Sequence, residues 1–242
     1  MMLRAARREP SAILLAAQLA GVLLYPFLEG DGVGRAVFSV LGIAILGLVL
    51  LAVRSSSFQM WVAILLAAPA SVLLIIQAVT GSDDLLPYSS AFEAVLYLYA
   101  AGALIAYMLA DHEITRDELF AVGATFTLVA WAFAYIYVVC QAIQPGSFIA
   151  AIEPQADRTW MELLFLSFTT LSSTGLSDVV PVEPFARALV MIEQLAGVAY
   201  IAMVVSRLVG LLVMSRRPDA AAEPPQSAPA ANVSQRPGSP PR

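Results

Sequence analysis

Charge is scarce in this sequence, and lysine is absent. Only 13% of the 242 residues are charged, against about a quarter in an ordinary soluble domain. All 13 basic residues are arginines, and 18 acidic residues bring the net charge to −5. The chain therefore has no basic surface of the kind that nucleic acids require, which excludes nucleic-acid binding. Hydrophobic residues make up 60% of the sequence, and this composition predicts a protein of the lipid bilayer.

Cysteine and histidine occur once each. Cys140 lies in an apolar stretch, so an intrachain disulfide and a cysteine–histidine metal site are excluded and a small buried side chain is favoured. His112 lies in the polar stretch DHEITRDE, where a solvated surface position is favoured over a proton sensor. An enzyme would need acids or metal ligands that converge at one depth, whereas Glu93, Glu162 and Glu193 are scattered. We expect no enzymatic activity, no cofactor and no metal centre.

Six apolar runs are long enough to cross a hydrocarbon core about 30 Å thick as helices. They are Ser11–Leu28, Val33–Val53, Phe58–Val79, Tyr88–Ala110, Leu119–Ile143 and Ala188–Met214. We predict an all-α membrane protein with six transmembrane helices. The first run is too long for a signal peptide and has no convincing cleavage site, so we interpret it as a retained helix. No internal repeat stands out, which gives little support to a transporter built from inverted repeats.

Arginines mark one side of the predicted helices. Membrane proteins retain arginine in their cytoplasmic flanks. The arginines that share one side are Arg4, Arg7, Arg8, Arg54, Arg116, Arg207, Arg216 and Arg217. The opposite side is mostly acidic, so we place both termini in the cytoplasm of a multi-pass protein of the plasma membrane. The fourth run contains no arginine or lysine, which argues against voltage gating by that helix.

A shorter apolar helix is predicted between the fifth and sixth runs. Thr159 and Glu162 have the spacing of a capping box, in which each side chain accepts a hydrogen bond from the other residue's backbone amide. A helix from there to about Leu171 covers roughly 18 Å, little more than half of a hydrocarbon core. It must therefore enter the membrane and turn back. The stretch SSTGLSD that follows would lie at membrane depth, where irregular backbone is tolerated only inside protein or beside water.

The electrostatics of such a turn favour a positive ion. The carboxyl end of the short helix carries the negative end of the helix dipole, and the carbonyls and hydroxyls after it can replace the water shell of a cation. One copy cannot surround an ion, so symmetry-related copies would have to form a ring. The sequence thus predicts a homo-oligomeric cation pore.

The stretch Ser167–Leu211, SFTTLSSTGLSDVVPVEPFARALVMIEQLAGVAYIAMVVSRLVGL, resembles the pore helix, filter and inner helix of the potassium channel pore-loop superfamily, particularly its bacterial members. The family filter Thr-Val-Gly-Tyr-Gly-Asp falls on Ser173, Thr174, Gly175, Leu176, Ser177 and Asp178. The resemblance implies that these six residues bind the ion, that Thr159 and Glu162 cap the pore helix, and that Gly197 is a gating hinge. It also implies a homotetramer in which the fifth and sixth spans are the outer and inner helices.

The sequence departs from the family at two filter positions. Leu176 lacks the hydroxyl with which the family tyrosine anchors the filter to the pore helix. Ser177 replaces the second filter glycine, which is left-handed in the family, and we expect serine there to cost about 1–2 kcal/mol in each subunit. The implied function is passive conduction of a monovalent cation, with potassium favoured. A non-selective cation channel and a non-conducting accessory membrane protein stay open as alternatives.

These patterns divide the chain into three parts. Residues 1–111 are predicted to form a peripheral four-helix bundle, 112–217 a pore domain, and 218–242 a disordered cytoplasmic tail rich in proline, alanine and serine. Two acids fall inside or near apolar runs. For Glu193 a buried structural hydrogen bond behind the filter is favoured over ion coordination. For Glu93 a structural hydrogen bond and ion coordination are favoured equally.

Overall fold

The computed structural model describes residues 9–28, 32–54, 59–81, 84–110 and 115–215, with the backbone alone at 28, 32–39, 52–54 and 211–215. Within these residues the chain forms seven helices and two short strands. The elements in chain order are α1 (Pro10–Leu28), α2 (Gly32–Arg54), α3 (Met60–Thr80), α4 (Leu86–Leu109), α5 (Arg116–Ile143), β1 (Phe148–Ala150), α6 (Trp160–Leu171), β2 (Val179–Pro181) and α7 (Pro184–Ser215). The predicted tail and His112 lie outside the described residues.

Five of the described helices are long and apolar enough to cross a membrane. They are α1, α3, α4, α5 and α7. Helix α2 is 23 residues long, and its described side chains, at 40–51, are apolar apart from glycines. The chain is thus a mostly helical, multi-pass membrane protein. A sixth span, and the orientation of the termini, stay predictions.

Helix α5 is central to the fold. It packs against α1, α4, α6 and α7. Buried alanines are frequent on α4 and α5, among them Ala94, Ala101, Ala124 and Ala132. Short side chains let helix backbones approach closely in lipid, where van der Waals packing rather than the hydrophobic effect holds helices together.

Aromatic side chains fill the wider gaps around α5. The Trp131 ring packs edge-on against Tyr97 of α4 and against Trp160 of α6, with ring centroids 6.0 and 5.2 Å apart. On α1 the facing residue is Gly21, where a Cβ would lie 3.1 Å from the Trp131 ring. A side chain at Gly21 would therefore crowd the Trp131 ring.

The two strands tie the chain before α6 to the chain after it. β1 and β2 are antiparallel, with Ile149 opposite Val180. The Val182 amide donates to the Ser147 carbonyl at 2.9 Å and continues the pairing. These strands were not predicted, because each is only three residues long and its partner is far along the chain. The pairing fixes both flanks of the segment that contains α6.

Candidate functional site

Helix α6 begins with a capping box. The Thr159 hydroxyl accepts from the Glu162 amide at 3.3 Å, and the Glu162 carboxylate accepts from the Thr159 amide at 2.6 Å. The helix contains 12 residues, roughly 18 Å at the usual rise. The start and the end of this short helix therefore lie where the sequence predicts them.

Arg158 organises the loop before α6. The residue is 5% exposed, and its guanidinium group donates to the carbonyls of Glu153 and Ala156, both at 2.6 Å. It also pairs with Glu162 at 3.1 Å. The Gln141 amide group, on α5, bonds both the backbone amide and the carbonyl of Arg158. The Arg158 side chain thus satisfies carbonyls of the loop.

The end of α6 is a Schellman motif. The Thr174 amide donates to the Thr169 carbonyl at 2.9 Å, and the Ser173 amide donates to the Thr170 carbonyl at 3.0 Å. The Gly175 amide reaches the same Thr169 carbonyl at 3.1 Å. This motif needs a left-handed residue just after the helix, and Ser173 fills that position with φ 60°. The backbone amides after α6 thus point back at the helix.

The expectation of a left-handed Ser177 is wrong. Among the described residues other than glycine, only Glu153 and Ser173 have positive φ. The Ser177 hydroxyl instead accepts from the Val179 amide at 3.0 Å, which leads the chain into β2. Gly175, at the position of the first family glycine, does have positive φ, at 66°. The backbone cost of about 1–2 kcal/mol therefore falls on Ser173, because the helix end rather than the later turn requires the left-handed residue.

The six candidate filter residues form an exposed stretch. Side chains at 173–176 and 178 are exposed and Ser177 is half-buried; Leu176 is 76% exposed. Within the described part of the chain, no donor bonds a carbonyl of residues 173–177. The amides of Ser173 to Gly175 are satisfied by α6, whereas the carbonyls of these three residues accept from no donor among the described residues.

Glu193 joins three helices behind this stretch. It is fully buried on α7, and its carboxyl group accepts from the hydroxyls of Tyr137 on α5 and Ser167 on α6. The Ser167 hydroxyl also lies 2.8 Å from the Ala130 carbonyl. The interpretation of Glu193 as a buried structural hydrogen bond is therefore confirmed. Its partners could not be identified from sequence, because they come from two other helices.

Gly197 lies in direct contact with the backbone at the end of α6. A Cβ at this position would lie 2.0 Å from the Leu171 carbonyl oxygen, a distance that no side chain can occupy. Helix α7 continues without a break on both sides of Gly197. The structure thus gives this glycine a packing role, and its role as a gating hinge stays a prediction.

The N-terminal end of α5 is linked to two neighbouring helices. Asp117 accepts from the amide and the hydroxyl of Ser11 on α1, at 3.0 and 2.9 Å. Glu118 lies 3.3 Å from the Arg207 guanidinium on α7. Both acids lie in the first turn of α5, where their negative charge complements the helix dipole. The contacts with α1 and α7 were not predicted.

The remaining candidate residues are buried or isolated. Cys140 is 1% exposed, as predicted for a small core side chain. Glu93 is 2% exposed, within α4. In the residues that the structure describes, no group of three or more histidine, cysteine or acidic side chains could hold a metal ion.

Comparison with known proteins points to the same part of the chain. Residues 123–214 match a family model described as an ion channel. This range contains most of α5, all of α6, the exposed stretch and nearly all of α7. No curated protein and no solved structure has a significant match. The family match supports an ion channel.

Proposed function

We propose that the chain conducts monovalent cations passively as a homotetramer, with residues 173–178 lining the pore. In this proposal α6 is a re-entrant pore helix, α5 the outer helix and α7 the inner helix. Helices α1–α4 form a peripheral bundle. The resemblance to potassium channels and the ion channel family match support the same assignment.

This proposal rests on the backbone carbonyls that follow α6. Those of residues 173–177 have no donor within the described chain, and α6 is too short to cross a membrane. Carbonyls at membrane depth need water, an ion or other protein, because lipid offers no donors. Four copies around an axis would turn these carbonyls toward a shared cation.

The surface of α7 supports an assembly of several copies. Large apolar side chains are exposed along most of this helix, among them Ile192, Leu195, Val198, Ile201 and Val205. A helix that is apolar and largely uncovered must face lipid, other helices or a water-filled passage. Closed rotational symmetry lets identical helices cover one another around the passage.

Conduction is tested with purified protein in liposomes, by potassium and sodium flux under a set gradient. Gly175→Ala tests the candidate filter directly. The φ angle at Gly175 is +66°, and a Cβ there meets no atom of the same chain within 4 Å. Gly146→Ala is the matched control, because φ is +80° and its surroundings are equally open. Both changes strain the backbone by about 1–2 kcal/mol, but only the first lies in the candidate filter.

We expect flux in the wild type and in Gly146→Ala, and at least a tenfold loss in Gly175→Ala with the oligomer intact. Equal losses in both variants would show that backbone strain, not the filter, limits flux. Absence of flux of either ion in a verified wild-type tetramer would favour the alternative of a non-conducting accessory protein.

Potassium is the favoured ion, and relaxed selectivity is the alternative. Leu176 is highly exposed and has no hydroxyl to anchor the stretch to α6. The double change Leu176→Tyr and Ser177→Gly brings the stretch closer to the family filter. We expect it to raise the ratio of potassium to sodium flux, and an unchanged ratio would contradict this account of selectivity.

A further inference from the structure

A groove with a volume of about 360 Å³ lies between α1, α5 and α7. Helices α1 and α7 both pack against α5, which forms the floor of the groove. One residue of α1, four of α5 and four of α7 line it. Ile201 and Val205, among the lining residues of α7, are 43% and 53% exposed, so the groove is open to the surroundings of the chain. Its volume falls in the range of small-molecule sites.

The wall of the groove offers hydrocarbon to an occupant. Only two of the lining residues, Thr127 and Tyr200, have polar side chains. The Thr127 hydroxyl donates to the Gly123 carbonyl at 2.9 Å, and the Tyr200 hydroxyl donates to the Val122 carbonyl at 2.7 Å. Both hydroxyl protons are therefore used by the backbone of α5. A water molecule in such a site would lack the polar partners that it needs, whereas an acyl chain needs none.

Arg116 gives the groove a charged end. It is the first residue of α5 and is exposed. Gly123 and Thr127, which line the groove, follow it by seven and eleven residues, about two and three turns of helix. All three residues therefore lie along one face of α5. An occupant that extends from the groove toward the start of α5 reaches this arginine.

The charge of Arg116 is not balanced by its neighbours on α5. Asp117 accepts from Ser11, and Glu118 pairs with Arg207. Arg116 itself forms no ion pair among the described residues. It is one of the arginines that mark the predicted cytoplasmic side, and the cytoplasmic leaflet is the one that contains anionic lipids. An apolar groove with a positive end thus matches a ligand with an acyl chain and a negative head group.

We propose that the groove binds one acyl chain of an anionic phospholipid whose phosphate group pairs with Arg116. The acyl chain lies over α5 between α1 and α7, against the apolar wall. The planar guanidinium group of arginine forms strong, charge-assisted hydrogen bonds with phosphate oxygens. The bound lipid would then be a structural connection between the first helix and the last.

Lipid binding is tested on the purified full chain in detergent, without any reference to conduction. Phosphatidylglycerol and phosphatidylcholine with the same acyl chains are titrated, and native mass spectrometry counts the lipids bound per chain. We expect one phosphatidylglycerol per chain, bound about fivefold more tightly than phosphatidylcholine, the factor that one arginine near the surface supplies. Equal binding of the two lipids, or no saturable site for either, overturns the proposal.

Arg116→Gln tests the charged end of the groove. It should weaken the binding of phosphatidylglycerol about fivefold and leave that of phosphatidylcholine unchanged. Arg187→Gln is the control, because Arg187 is an exposed arginine near the opposite end of α7, and it should alter neither affinity. An equal loss in both variants would show attraction to the net charge of the chain and would overturn the assignment to Arg116.

Ile201→Trp tests the groove itself, because the larger side chain occupies part of its volume. We expect both lipids to bind about tenfold more weakly, the effect of a modest overpacking. Ile64→Trp on α3 is the matched control, since Ile64 is 49% exposed, and it should bind both lipids as the wild type does.

Two results with Ile201→Trp would overturn the proposal. Unchanged binding would place the lipid elsewhere on the chain. Loss of the oligomer in this variant, together with no lipid bound to the wild type, would assign the groove to a second copy of the chain. Arg116→Gln alters only an exposed side chain, so the test stands even if Ile201→Trp does not fold.

Discussion

Helices α5 and α7 have similar lengths and compositions but different surroundings. Within their candidate spans, 61% of the residues of α5 are buried by the rest of the chain, against 17% in α7. Helix α5 is held on several sides, whereas α7 is held at a few points, among them Glu193, Gly197, Tyr200 and Arg207. The chain alone therefore determines the position of α5. The position of α7 depends on these points and on whatever covers its remaining surface.

Substitution at Gly197 should lower the unfolding free energy more than substitution at any of the other points. Gly197→Ala places a methyl group against the Leu171 carbonyl, so α7 must move away from α6. We expect a loss of about 3 kcal/mol in unfolding free energy, the upper part of the range for overpacking. Denaturation by detergent titration in micelles measures it.

The matched control for this prediction is Gly210→Ala on the same helix. A Cβ at Gly210 meets nothing within 4 Å, so this change should leave stability unchanged or improved. Equal stability of the two alanine variants would refute a close approach at Gly197.

Removal of Glu193 should have the next largest effect. Glu193→Leu leaves the buried Tyr137 hydroxyl without its acceptor, and we expect a loss of about 2 kcal/mol. Adding Tyr137→Phe removes the stranded hydroxyl, so the double variant should recover at least half of the loss. If the second change deepens the loss instead, the hydroxyl has another acceptor and the three-helix connection is not the cause.

The Tyr200 hydroxyl should contribute less to the unfolding free energy than Glu193 does. It donates to the Val122 carbonyl of α5 at 2.7 Å, and Tyr200→Phe removes this bond between the two compared helices without leaving a large gap. A loss of about 1 kcal/mol is expected. Tyr88→Phe, at an exposed position on α4, is the control and should change nothing. Indistinguishable unfolding curves for the two variants would argue against this contact.

The ion pair of Glu118 with Arg207 should have the smallest effect. Arg207 is partly exposed, so water screens the interaction, and we expect a coupling energy of about 0.5 kcal/mol. A double-mutant cycle with Glu118→Gln and Arg207→Gln measures this coupling, which should decrease as salt is added. A coupling that salt leaves unchanged would indicate contact by packing rather than by charge.

Local signals in the sequence predicted α6 well. Its cap at Thr159 and its last residue, Leu171, lie where the capping box and the polar stretch indicate. The long apolar helices were also predictable, because hydropathy over about 20 residues is a strong signal. By contrast, the β1–β2 pairing and the partners of Glu193 depend on residues far apart in the chain, which one sequence cannot bring together.

The backbone of the candidate filter was predicted less well. The resemblance placed a left-handed residue at Ser177, whereas the structure has one at Ser173. The prediction transferred a family backbone position by position and did not consider how α6 itself ends. Unpaired carbonyls at a helix end require amides that fold back, and this local requirement determined the conformation.

The pairing of β1 with β2 also limits how the chain can change in length. Seven residues, 172–178, join the end of α6 to β2, and both ends of this connection are held. One inserted residue would move every later carbonyl by about 3.4 Å. The exposed loop at 151–156 is also held, because Arg158 donates to the carbonyls of Glu153 and Ala156. Insertions and deletions should therefore be poorly tolerated on both sides of α6.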